Sequence, residues 1–264
     1  MDEPAIRVGL IGHGAIGSVI ADGLVSGTVD GAVLGGVLDP VAPRVGHVVA
    51  SVDELLETAD LVVEAAGHSA LATYAPTVRS AGADLLVVSV GALADDELRA
   101  VVTAPAPGRV LLTTGAIGGF DTLRAAMLLG RLDTVSITST KPARNLVRDW
   151  MAPGTVDALT AGSERVVAFE GTAREAARRF PESANVCATL ALATVGLDAT
   201  VARLVGDPTA TTVRHVVAAE GAAGRYEFSF ENHPSQANPK TSAITPYSVL
   251  RALGDLTNLT WSFV

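Results

Sequence analysis

Gly12, Gly14 and Gly17 stand directly after the strand-like segment Ile6–Ile11, and Ile16, Val19, Ile20 and Leu24 follow at helical spacing. A strand, a glycine-rich turn and the start of a helix, in that order, form a cradle for a dinucleotide pyrophosphate. The first glycine permits the tight turn, the second lets the backbone approach the phosphates, and the third lets helix and strand pack closely. The phosphates then rest on free N–H groups at the positive end of the helix, and Ala15 and Ile16 in the same turn join the expected contacts. The next apolar stretch, Ala32–Leu38, ends in Asp39, at the distance where an acidic residue reaches a ribose. Its carboxylate would accept hydrogen bonds from both ribose hydroxyls and repel a 2′-phosphate. A charge pair about 4 Å apart is worth between ~1 and ~4 kcal/mol, so NAD should be favoured over NADP by about fivefold to about a thousandfold. Arg44, just past that strand, is the residue that could readmit NADP. His13, inside the loop, is expected to face solvent.

The elements that must position these residues alternate through the first 114 residues. Ser51 and Glu54 form a capping-box pattern ahead of Leu55 and Leu56, and Leu61–Ala65 reads as a buried strand closed by Gly67. A helix over about 69–80 leads to a strand over 85–90, and a helix over about 95–102 leads to Val110–Leu112. This is the pattern of a doubly wound parallel sheet of the Rossmann kind, which binds ligands outside the carboxyl ends of its strands. Ala65, Gly67 and His68, and then Ser89 with Gly91, therefore point toward a cofactor, with helix capping or a turn hydrogen bond as the alternative job for His68 and Ser89.

After Gly115 the texture changes. A helix is expected over 120–129, extended segments over 135–140 and 165–170, and an apolar helix over about 186–195. Strands are then expected over 201–205, 212–218 and 226–231. Several strands with few helices indicate a second, smaller α+β domain with one sheet, the substrate and catalytic domain. The expected division is a dinucleotide-binding domain over 1–114 and a catalytic domain over 115–242, with a C-terminal helix in 243–264 packing back on the first. No internal repeat interrupts this pattern.

The chain has 264 residues, 48% of them apolar and 18% charged, enough for a large core in two modest domains. A net charge of −9 and the lack of any Lys/Arg run argue against a nucleic-acid partner. No stretch reaches the ~18 uninterrupted apolar residues of a membrane span, and Met-Asp-Glu-Pro lacks a basic leader, so a cytoplasmic protein is expected. The one cysteine, Cys187, reads as a helix-packing residue in a reducing compartment. No Cys/His cluster has metal-ligand spacing, so no metal is expected. A homodimer remains open, since either an exposed sheet face or the apolar helix over 186–195 could support one.

Five separated segments carry a more specific signal: Val88–Leu93 (Val-Ser-Val-Gly-Ala-Leu), Gly115–Gly119 (Gly-Ala-Ile-Gly-Gly), Asn185–Thr189 (Asn-Val-Cys-Ala-Thr), Thr212–Val217 around His215, and Asn238–Ser242 (Asn-Pro-Lys-Thr-Ser). Together and in this order they resemble the L-aspartate dehydrogenase family over almost the whole chain. The resemblance implies NAD(P)-dependent oxidative deamination of L-aspartate through iminoaspartate to oxaloacetate and ammonia. It also implies the reverse reductive amination and a supply of iminoaspartate to NAD biosynthesis. It places the active-site histidine on His215 and cofactor contacts on Ala116 and Asn185. The chain departs from many members in having Ser183 and Asn185 where two asparagines are usual, and in the stretch 231–237.

Residue chemistry fits these roles. Forming and hydrolysing an imine needs a group that takes and returns protons, and a histidine with an ordinary pKa of about 6.5 does both near neutrality. Its alternative is a strand histidine satisfied by a backbone carbonyl. The Asn185 amide offers a donor and an acceptor to a carboxamide or ribose, and the small Ala116 leaves room for a ring. A dicarboxylate needs cations, and Lys240 and Lys141, both read as lying in short proline-bearing turns, are the candidates, with Thr241 and Ser89 as hydroxyl donors. His47 reads as structural, and His233 has no matching role. The alternatives are a dehydrogenase or imine reductase for another small acidic amino acid, or a silent NAD-binding sensor. Steady-state kinetics should give NAD a lower Michaelis constant than NADP; the opposite order would remove Asp39 as the discriminating residue.

Overall fold

The structure, a computed structural model, describes residues 5–41 and 47–257. They fall into two compact units, one of residues up to Gly115 together with those from Thr245 onward, the other Ala116–Ile244. Arg44 and residues 258–264 lie outside the described residues.

The first unit is built on β1 (Ile6–Ile11), α1 (Gly17–Val25), β2 (Ala32–Leu38), α2 (Val52–Thr58), β3 (Leu61–Glu64), α3 (His68–Ala81), β4 (Asp84–Val87), α4 (Asp96–Thr103) and β5 (Val110–Leu112). Its five strands run parallel in the order β2-β1-β3-β4-β5. All four residues of β3 are buried, as expected of a central parallel strand covered on both faces. The capping signal read at Ser51 operates as expected, and the helix read from residue 95 begins on a cap of its own. The Ser51 hydroxyl accepts from the Glu54 N–H at 3.1 Å while the Glu54 carboxylate accepts from the Ala50 N–H at 2.8 Å, and Asp95 caps α4 by accepting from the Leu98 N–H. The strand expected to reach Val90 stops at Val87, because Ser89 turns to bond Glu64 and Val90–Ala94 coils into a buried 3-10 turn. The final helix, Thr245–Thr257, packs on α1. The approach is close: a Cβ on Gly23 would lie 2.7 Å from Leu250 Cδ1.

The second unit holds α5 (Phe120–Leu129), β6 (Leu132–Pro142), α6 (Pro153–Ala161), β7 (Val166–Thr172), α7 (Ala173–Arg179), α8 (Asn185–Ala193), β8 (Val201–Asp207), β9 (Val213–Gly221) and β10 (Gly224–Asn232). Its sheet is mixed, in the order β10-β9-β6-β8-β7, with β6 and β8 parallel and the other pairs antiparallel. The helices α6 and α7 were not anticipated from sequence. A signal for α7 was present, since Thr172 and Glu175 form a full capping box. On β6 the buried positions alternate through Val135, Ile137, Ser139 and Lys141, the face against which α8 packs. The period of two thus carries an apolar run straight into two polar residues without changing face.

No helix among the described residues is long and apolar enough to cross a membrane. Leu253 is 1% exposed in the cluster joining the final helix to α1. Leu253→Ala should lower unfolding free energy by about 2–5 kcal/mol in chemical denaturation; a change within error would mean the helix contributes nothing to that core.

Candidate active site

Parallel strands put their carboxyl ends on one edge of the first unit's sheet, and Gly12, Asp39, Ala65–Gly67 and Ser89 all follow such ends. Gly12 has φ +95°, and a Cβ there would lie 2.7 Å from Ala66 Cβ; a Cβ on Gly17 would lie 2.0 Å from the Gly12 carbonyl oxygen. Gly14, between them, faces open space, with no atom within 4 Å of a built Cβ. Two glycines close the turn and the third leaves its outer side clear, which fits a pyrophosphate held against the start of α1. Ala15 and Ile16 lie in the turn that leads into the helix.

Asp39 ties this loop to the end of β2. Its Oδ2 accepts from the His13 backbone N–H at 2.6 Å and its Oδ1 from the Val41 N–H at 2.8 Å. The His13 ring does not simply face solvent, as the sequence suggested: its Nε2 is buried and has no hydrogen-bond partner among the described residues. His47 contributes its carbonyl to the Val37 N–H.

Glu64, which sequence reasoning missed, organises the neighbouring turns. It is 1% exposed. Its Oε1 accepts from the N–H groups of Ala66 and Gly67, both at 2.8 Å, and from the Ser89 hydroxyl at 2.9 Å, while Oε2 accepts from the Ser89 N–H at 3.1 Å. Burial pushes this carboxyl above the ordinary glutamate range and the four donors pull it back. The available signal was an acidic residue ending the apolar run Leu-Val-Val-Glu. The expected substrate contact by Ser89 is corrected here, because its hydroxyl is buried and engaged by Glu64.

In the second unit the sheet register sets His215 on β9 opposite Ser139 on β6. Ser139 Oγ lies 2.8 Å from His215 Nδ1, so the hydroxyl's orientation and the ring's tautomer are coupled. Two residues along the same face, Lys141 donates through Nζ to the Ser183 carbonyl at 3.0 Å. This corrects the reading of Lys141 as a turn residue: it sits within the central strand and is 4% exposed. Burial lowers the lysine to about 8, helped by the nearby Arg148 charge. His215, 2% exposed, is driven down to about 3 by burial and by the Lys141 ammonium, and so is neutral at physiological pH rather than poised near 6.5. Cys187 of α8 faces the same cluster, and burial raises its thiol to about 12, an inert packing group.

The other expected residues are more dispersed within this unit. Asn185 opens α8, and the Ala116 carbonyl accepts from the Asn232 side-chain amide at 2.9 Å. Lys240 is exposed and pairs with Glu182 at 2.7 Å; the Thr241 carbonyl accepts from the Ser235 N–H, and that of His233 from the Ala243 N–H. Arg148 was missed, although its Nη2 donates to Ser183 Oγ at 3.2 Å beside Lys141. Among the described residues no group of His, Cys, Asp and Glu side chains could hold a metal ion.

The family model described as "Homoserine dehydrogenase, NAD binding domain" matches residues 12–107, and the one described as "Aspartate dehydrogenase, C-terminal" matches residues 121–256. With the parallel sheet and its glycine cradle, these define an NAD(P)-dependent oxidoreductase. The chain is 47% identical to an L-aspartate dehydrogenase of Pseudomonas aeruginosa, covering 95% of this chain and 97% of that one. It is 40% identical, over the same shares, to one of Cupriavidus taiwanensis. A crystal structure of aspartate dehydrogenase from Thermotoga maritima superposes with a TM-score of 0.73 at 25% identity, covering 98% of this chain and 99% of that one. The chain belongs to the L-aspartate dehydrogenase family.

Glu64→Gln keeps size but turns an acceptor into a donor among N–H groups. It should cost about 1–3 kcal/mol of stability and weaken NADH binding, read by thermal denaturation and fluorescence titration. Unchanged values for both would show that the carboxylate does not shape the strand-end turns.

Proposed function

We propose that the protein oxidises L-aspartate with NAD, releasing oxaloacetate and ammonia by way of iminoaspartate, and runs the reverse reductive amination. The observation that carries this reading is His215, bonded to Ser139, buried on the face of the second sheet that also buries Lys141, a neutral base within electrostatic reach of a cation in a chain of net charge −9. Family membership supports it. In this reading N–H groups of the Gly12–Gly17 turn, including those at Gly14, Ala15 and Ile16, hold the pyrophosphate. Asp39 takes the ribose hydroxyls, Ala65 and Gly67 line the strand-end edge, and Ala116 and Asn185 serve the nicotinamide end.

The dinucleotide, when bound, supplies a hydride acceptor. Loss of hydride from the substrate Cα and of a proton from its nitrogen leaves the imine, and addition of water followed by loss of ammonia leaves the ketone. His215 is the group that takes the proton from nitrogen and water and returns it to the departing ammonia. Lys141 holds a substrate carboxylate, and that anion partly offsets the ammonium charge which now depresses His215, raising the imidazole's affinity for the proton it must carry. Lys240 and Thr241 stand as outer contacts for the acidic substrate. A cytoplasmic setting and a supply of iminoaspartate to NAD biosynthesis complete the reading.

The test follows reduced nicotinamide by absorbance with L-aspartate and NAD, against L-glutamate, L-alanine and D-aspartate. L-Aspartate should be the preferred substrate. His215→Ala should lower kcat by roughly a hundredfold to ten-thousandfold while leaving the Kd for NADH near that of the unaltered protein. Retained turnover would take His215 out of the mechanism, and no turnover of any substrate would favour a silent binding protein.

A further inference from the structure

Ser183 holds two cations at once. Its carbonyl oxygen accepts from Lys141 Nζ at 3.0 Å, and its hydroxyl accepts from Arg148 Nη2 at 3.2 Å. Arg148 Nη1 donates to the carbonyls of Asn145 and Val147 at 3.0 and 2.7 Å, and the guanidinium carbon lies 5.2 Å from the centre of the Phe180 ring. The fork is therefore fixed in place by neutral groups. Glu182, the acid that acts on Arg148 from nearby, forms its ion pair with Lys240 at 2.7 Å. Two like charges, one fully buried and one partly so, are thus held side by side with carbonyls, a hydroxyl and an aromatic face as partners. The Arg148 charge opposes the ammonium of Lys141, and burial leaves little water around Lys141 to relieve it. An anion between them would relieve both.

A cavity of about 630 Å³ opens at this point, lined by Arg148, Trp150, Arg179, Glu182 and Lys240 among others. Arg148 stands at its wall; Lys141, buried behind Ser183 and not itself a lining residue, is near enough to His215 to depress its basicity.

We propose that Arg148, clamped by Ser183 beside Lys141, takes the distal carboxylate of the substrate and sets the preference for a four-carbon dicarboxylate. The assignment rests on the functional reading above. Lys141, nearer His215, takes the carboxylate next to the reacting carbon, and the guanidinium fork pairs with the one at the far end. The two cations are bonded to two atoms of one residue, Ser183, and a short diacid would bridge them. L-Alanine leaves Arg148 unpaired, and L-glutamate, one methylene longer, moves its Cα away from the histidine or its carboxylate off the fork.

Steady-state kinetics with Arg148→Gln tests this. The KM for L-aspartate should rise by roughly tenfold to a thousandfold, the constants for L-alanine should change little, and the Kd for NADH should hold. Arg148→Lys should recover only part of the loss, because an ammonium lacks the bidentate fork. A KM for L-aspartate unchanged by Arg148→Gln in an active enzyme overturns the role of Arg148 alone. Failure of the unaltered protein to oxidise L-aspartate sinks the functional reading and this role with it. Should the variants not fold by circular dichroism, inhibition of the unaltered protein decides the matter. Succinate should then inhibit at least about tenfold more tightly than monomethyl succinate, and equal inhibition overturns the proposal.

Discussion

An ammonium on the inner face of a sheet is the constraint around which the second unit is arranged. Lys141 cannot turn outward, because β6 alternates from Val135 onward and its buried set already includes Val135, Ile137 and Ser139. Burying that charge is costly, and the surroundings show how the cost is met. A carbonyl from Ser183 receives the ammonium, the basicity falls to about 8, and the imidazole beside it is kept neutral. Buried groups with shifted basicities and fixed hydrogen-bond partners are characteristic of places where proteins do chemistry.

The first unit meets the opposite problem, a buried carboxylate, with different means. Glu64 is placed where four donors converge, so that a single side chain fixes the turn after β3 and the turn after β4 together. Asp39 does a similar service between the glycine turn and the end of β2. Backbone bonds such as Gly12 N–H to the Leu38 carbonyl and Val88 N–H to the Glu64 carbonyl carry the ladder just past the strand ends, and the side-chain carboxylates extend the connection into the loops. The edge expected to receive the dinucleotide is therefore rigid through hydrogen bonds as well as through glycine packing.

Much of this architecture was legible in the residues. Continuous apolar runs separated by helical patterns gave the parallel sheet, Ser51 and Asp95 marked helix starts, and the glycine turn announced its own geometry. The second unit's strands were legible too, with ends shifted by a few residues. The helices α6 and α7 escaped because neither carries an apolar stripe, α6 burying only Leu159 and α7 only alanines, and the Thr172–Glu175 capping box marked α7. The strand after α3 was read too far, because nothing local reveals that Ser89 is claimed by an acid twenty-five residues earlier.

Local pattern determined which segments are strands or helices and which residue types were available for chemistry, because period, capping and turn preference act over a few residues. His215, Lys141 and Asn185 were visible as candidates on that basis and through family resemblance. Only the tertiary structure decided what those side chains meet. Register across β6 and β9 joined Ser139 to His215, separated by seventy-six positions in the chain, and packing of α8 with the turn before it brought Ser183 and Cys187 to the same place. Basicity, burial and partnership are properties of those long-range neighbours, and a linear sequence does not state who they are.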